Sequence, residues 1–145
     1  MAKKFIFRLE PVLKIRTEKV NEAKNSLRNI LQFRYQKEDE IEALTNTKNE
    51  FMDAKQQTIN AATMQANKDY MQNLNAQIVK KEQEKVKIIE IENERRDRLA
   101  ESVKDEKILL KLKEKKETEY LKEIAAEETK FLDEVATTRY INNKD

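Results

Sequence analysis

The sequence predicts an all-α chain: a long antiparallel two-helix coiled coil, folded as a single hairpin over residues 1–145. Three observations predict it. There is no glycine among 145 residues, and a single proline, Pro11; at average usage of about 7 %, about 10 glycines would be expected. Charged residues make up 40 % of the chain, and the mean hydropathy is −0.94. The apolar residues recur at helical spacing. Glycine supplies the positive-φ positions that tight turns and helix C-caps use, so a chain without it runs straight for long distances.

The first helix is expected over about residues 10–60. A seven-residue frame runs through Ile6, Leu13, Val20, Leu27, Arg34, Ile41 and Lys48, and through Leu9, Arg16, Ala23, Ile30, Lys37, Leu44 and Phe51. Ten of these fourteen positions are apolar in a chain that is 38 % apolar. That is coiled-coil spacing, and good helix formers fill the other faces. Off the stripe lie Val12, Ile15, Leu31, Phe33, Tyr35 and Met52, apolar surface that a two-helix seam leaves to a partner.

The stretch Lys55–Asp69 is polar and without a stripe. A loop is expected at about 61–67, with Asn60 in the left-handed conformation at the end of the first helix. Asn67 or Asp69 then caps a second helix over about 68–138. There the apolar residues read with an eleven-residue period, through Ile88, Leu99, Leu110, Leu121 and Leu132, flanked by Ile91, Val103, Ile124, Ala125, Val135 and Ala136. Folding back on this loop brings together residues whose numbers sum to about 128, and leaves the second helix projecting past the start of the first. Residues 1–11 carry net +2 and residues 117–127 net −3, which favours that orientation. With two stripes and no staple the hairpin is expected to be marginal, and to fray around Lys55–Asp69.

Composition argues against an enzyme. The chain has no His, Cys or Trp. Nucleophilic triads need an imidazole or equivalent base, zinc sites need thiolate or imidazole, and phosphate-cradling loops need glycine. The carboxylates at Glu82, Glu84, Glu90, Glu92 and Glu94 sit among Lys and Arg and read as a solvated face, so no metal, cofactor or catalytic residue is expected. A nucleic-acid partner is disfavoured as well: Lys80, Lys81, Lys85, Lys87, Arg95, Arg96 and Arg98 interleave with those acids and Asp97. No stretch approaches the roughly 18 apolar residues of a spanning helix. Phe5-Ile6-Phe7 is too short for a signal-peptide core, so a cytoplasmic chain without membrane insertion is expected.

The opening Phe5-Ile6-Phe7-Arg8-Leu9-Glu10-Pro11-Val12-Leu13-Lys14-Ile15-Arg16 is an aromatic doublet followed by leucines that begin a long helix. It resembles the N-terminus of the FliJ family, the coiled-coil component of the flagellar export apparatus. The run Asp105-Glu106-Lys107-Ile108-Leu109-Leu110-Lys111-Leu112, then Tyr120, then Lys130-Phe131-Leu132-Asp133-Glu134-Val135-Ala136 is similar to that family's C-terminal pattern. The resemblance covers essentially the whole chain.

It implies a hairpin resembling the central stalk of rotary ATPases, with the open end inserted into an export ATPase hexamer. The looped end would meet the cytoplasmic domain of the export-gate membrane protein, and export chaperones would be further partners. By the resemblance, Phe5, Phe7, Leu9, Val12, Leu13, Leu132, Asp133, Val135 and Tyr140 serve the ATPase, and Leu44, Phe51, Tyr70, Leu74 and Ile78 serve the gate. The protein would sit at the cytoplasmic face of the inner membrane through its partners. A stiff rod can bias a ring at one end while touching a second protein at the other. The stalk of a virulence-type secretion system and a generic coiled-coil scaffold are the competing readings, and the same stripes also allow an intermolecular coiled coil.

Overall fold

A computed structural model describes residues 4–54 and 60–143. They form two α-helices, α1 (Glu10–Ala54) and α2 (Ala61–Asn143), packed antiparallel as an all-α hairpin.

Helix α1 begins where the sequence reading places it. The Phe7 carbonyl accepts the Glu10 N–H at 3.1 Å, and the Leu9 carbonyl accepts that of Leu13 at 2.9 Å. Pro11 sits in this first turn, where its missing N–H leaves no bond unmade. The frame expected for α1 is the buried one from Leu13 onward: every position of both heptad series between residues 13 and 51 is buried or half-buried. Ile6 departs from it. It precedes the helix and is 83 % exposed, while its neighbour Phe7 turns inward at 7 %, because the extended segment does not share the helix's periodicity.

Helix α2 begins inside the expected loop. Asn60 Oδ1 accepts the Thr63 N–H at 2.7 Å, and the Asn60 carbonyl accepts that of Met64 at 3.1 Å. Asn60 is thus the N-cap of α2, not a left-handed end to α1, and no described residue has positive φ. Asn67 and Asp69, the expected caps, lie within α2, as do residues 61–67. The expected end of the first helix, residues 55–59, lies outside the described residues. At its far end α2 runs on to Asn143, five residues past the expected boundary.

The described chain divides into two compact units, one of residues 21–101 and one combining 1–20 with 102–145. In the first, Leu27, Ile30 and Leu74 are buried and Phe51 meets Tyr70 edge-on at 4.7 Å between ring centroids. In the second, Phe7, Leu13 and Leu109 form a buried cluster with Phe5 and Leu112 packed on it.

The eleven-residue stripe expected for α2 is not the buried one, since Leu110, Leu121 and Leu132 are 44 %, 60 % and 64 % exposed. Buried or half-buried positions 67, 71, 74, 78, 81, 85, 88, 92, 95, 99, 102, 106, 109, 113 and 120 follow a seven-residue frame like that of α1. It escaped the hydropathy reading because Lys81, Lys85, Glu92, Arg95, Glu106 and Lys113 occupy it. The pairing is also shifted. Phe51 with Tyr70, Glu40 with Lys81, and Glu10 with Lys113 give residue sums of 121, 121 and 123, below the expected 128, because α2 starts earlier than expected.

Candidate interaction surfaces

Residues 4–9 of the second unit lie along α2. The Phe5 ring meets Tyr120 at 5.5 Å and 43°, and Phe7 enters the cluster with Leu13 and Leu109. Between this segment and α2 lies an open groove of about 780 Å³, bordered by Phe5, Ile6, Arg8, Leu112, Tyr120 and Glu123 among others. Lys113 fixes the helix start from across the seam, its Nζ 2.9 Å from Glu10 Oε2, and the Arg16 guanidinium donates to the Asp105 carbonyl at 2.8 Å.

Past Tyr120, α2 continues for 23 residues, about 35 Å at 1.5 Å per residue. Leu121, Phe131 and Leu132 are each at least 60 % exposed, and Ile124 and Val135 are half-buried. These five fall on one face of the helix.

The residues expected at the ATPase end therefore separate into kinds. Phe7 and Leu13 are core, and Phe5 is half-buried against Tyr120. Leu9 and Val12 are exposed at 36 % and 38 %. Leu132, Asp133 and Tyr140 are exposed on the far part of α2, with Leu132 about 18 Å along the helix from Tyr120. Among the gate set, Leu74 is core, Leu44, Phe51 and Ile78 are half-buried, and Tyr70 is exposed at 42 %. Phe51 and Tyr70 meet by their rings; Leu74, Leu44 and Ile78 lie at other positions of the same seam.

The arrangement that sequence reading missed is the charged seam of the first unit. Glu92 is buried, and its carboxylate accepts Arg34 Nη1 on both oxygens, at 3.1 and 2.9 Å, and Arg96 Nη2 at 2.9 Å. Hydrogen bonds from Arg96 and then Arg34 hold the Glu92 carboxyl below its ordinary range, against the opposing effect of burial. Lys37 reaches Glu84 at 2.6 Å, and Lys81 reaches Glu40 at 2.7 Å. The Lys37 bond lowers Glu84 and is answered by a raised Lys37; the Lys81 bond lowers Glu40. Arg34, raised by Glu38 and then Glu92, and Lys37, read as interruptions of the apolar stripe, are the α1 half of this set. The visible signal was charge of opposite sign at facing seam positions, legible only once the register is known.

Among the described residues no group of His, Cys, Asp or Glu is placed to hold a metal ion, and no helix is long and apolar enough to cross a membrane. Comparison with curated proteins and with solved structures finds no match. The family model described as Flagellar FliJ protein matches residues 5–145, essentially the whole chain. The chain therefore belongs to the FliJ family, whose role lies in flagellar protein export.

Proposed function

We propose that this chain is the stalk of the flagellar export machinery, without chemistry of its own. It binds the export ATPase hexamer, promotes the ring's assembly and activity, and links it to the cytoplasmic domain of the export gate. Export chaperones are further partners. It works in the cytoplasm, held at the inner membrane by these proteins. The observation that carries this reading is the far part of α2, an apolar face with Leu121, Phe131 and Leu132 exposed, in a chain matched by the family over residues 5–145. Large exposed apolar side chains on one helix face suit insertion into a partner's channel.

The contact residues follow from exposure. Leu132, Asp133, Val135 and Tyr140, with Leu9 and Val12, would touch the ATPase, while Phe5, Phe7 and Leu13 would hold the segment that presents them. At the other end Tyr70 would touch the gate, with Leu44, Phe51, Leu74 and Ile78 setting its position. Purified chain added to the export ATPase should raise its rate of ATP hydrolysis and the fraction assembled as hexamer. An unchanged rate and an unchanged assembly state would sink the proposal.

A further inference from the structure

The outer face of α2 in the second unit carries a feature that no seam or core role uses. Lys104, Lys107, Lys111, Lys115 and Lys122 are all exposed. At about 100° per residue they fall within an arc of about 80°, over about 27 Å of helix. The acids of the same span, Asp105, Glu106, Glu114, Glu117 and Glu119, fall outside that arc. Lys113 is turned inward to Glu10 and Lys116 pairs with Glu119, whereas the five lysines of the row make no ion pair. Glu114 and Glu119 border the arc, but Glu119, four residues after Lys115, pairs with Lys116, so the row is left without the i,i+4 partners from which solubilising lysines gain.

We propose that this lysine row is a docking surface for an anionic phospholipid bilayer. The geometry selects a planar partner. The row is straight and convex, so a flat surface reaches all five ammonium groups at once, whereas a globular protein would meet a few. Lysine presents a hydrated point charge without the bidentate fork that recognises one carboxylate or phosphate, which suits a diffuse field of headgroups. No aromatic ring lies among the row to stack a nucleobase. Ile108, 55 % exposed at the edge of the arc, is the one apolar side chain positioned to enter the headgroup layer, so the contact is peripheral and reversible. The inference is independent of ATPase or gate binding, since it predicts attachment of the isolated chain.

The test is co-sedimentation of the full chain with vesicles of phosphatidylcholine alone or mixed with phosphatidylglycerol. Each lysine near an anionic surface strengthens binding about fivefold. Replacing all five by Gln should therefore lower the partition coefficient about 3,000-fold. Replacing five exposed lysines elsewhere, Lys19, Lys24, Lys68, Lys80 and Lys87, should lower it far less. Binding should vanish on pure phosphatidylcholine and fall steeply between about 0.1 and 1 M salt, as the screening length drops from about 10 to 3 Å. Circular dichroism checks that both variants stay helical. No binding to phosphatidylglycerol vesicles, or equal loss in both variants, overturns the proposal. So does tighter binding of the same row to poly-glutamate or duplex DNA, measured by fluorescence anisotropy.

Discussion

Arg34 on α1 and Glu92 on α2 face each other across the seam of the unit 21–101, joined by 2.9 and 3.1 Å bonds to the two carboxylate oxygens. The carboxylate is buried and the guanidinium half-exposed, so the pair sits where a coiled coil ordinarily places leucine. Polar residues at such positions fix register and partner choice while adding little stability. On this ground the pair is expected to specify which turn of α1 meets which turn of α2.

That role predicts opposite effects of single and double substitution. Arg34→Leu strands Glu92 with Arg96 alone and should lower Tm, whereas Arg34→Leu with Glu92→Leu should leave Tm unchanged or raised. The chain has no cysteine, so introduced pairs report register without interference. Cysteines at Phe51 and Tyr70 should cross-link in the native background, and cysteines at Phe51 and Gln77, one heptad away, should not. In the double-leucine background the second pair should begin to cross-link. A single register in that background would assign the specificity elsewhere.

The same seam predicts a stability plateau in pH. Glu92, Glu84 and Glu40 have carboxyls held below their ordinary range by Arg96, Lys37 and Lys81 respectively. Their contribution is complete above the unfolded value of about 4.3 and is lost as pH falls through the lower folded values. Lys37 is raised, chiefly by Glu84, so its contribution is complete below about 10.4 and is lost as pH rises through its folded value. Tm should therefore be flat between about pH 5 and 10 and fall on both sides. Arg34→Leu with Glu92→Leu should make the acid limb shallower by removing the Glu92 share, and an unaltered limb would show that Glu92 does not contribute to it.

The core of the second unit predicts a localised failure. Phe7, Leu13 and Leu109 are buried together at 7 %, 6 % and 5 % exposure, in a chain with few buried side chains to share the load. Leu109→Ala should cost about 2–5 kcal/mol, and hydrogen exchange should rise first over residues 5–20. Protection unchanged there would mean that the amino-terminal segment is held by other contacts.

The limits of sequence reading lie in the same seams. The α1 frame was legible because Leu13, Val20, Leu27 and Ile30 are apolar and buried, so hydropathy and burial coincide. The α2 frame was illegible because Lys81, Glu92 and Glu106 take seam positions while Ile108 and Leu110 face outward. Hydropathy reports seams only where the partner is apolar. The turn was misplaced for a related reason: the stretch after Asn60 is polar without being irregular, since its Ala, Met, Gln and Lys are good helix formers. The grouping of Phe5 with Tyr120 needed the register as well as the motif.

Weak protection should mark the first turns of α2. From Ala61 to Tyr70 all described residues but Asn67 are exposed, and the Asn60 cap and the Phe51–Tyr70 ring contact hold the helix start. Amides of 61–70 should exchange faster than those of 85–99, and Asn60→Ala should speed them further, at about 1 kcal/mol for a lost cap. Slower exchange at 61–70 than at 85–99 would contradict this account of the turn.

The final prediction separates the two proposed contact regions. Replacing Phe5 and Phe7 is a poor probe of ATPase contact, because Phe7 is core and Phe5 packs on the same cluster, so their loss would disturb the fold as well as any contact. Leu132→Ser with Phe131→Ser changes two side chains that are each 64 % exposed, and should leave helicity and Tm nearly unchanged. ATPase stimulation should nevertheless fall at least tenfold, since truncating a buried interface anchor costs 2 kcal/mol or more, and binding to the export gate should be retained. Tyr70→Ala is the converse, with gate binding reduced and stimulation kept. Phe51 loses its ring contact in that variant, so Tyr70→Phe, which keeps the contact, distinguishes a lost hydroxyl from a disturbed turn. If both variants lower both affinities equally while helicity holds, the chain has no functional polarity. A scaffold without distinct ends then describes it better than a stalk.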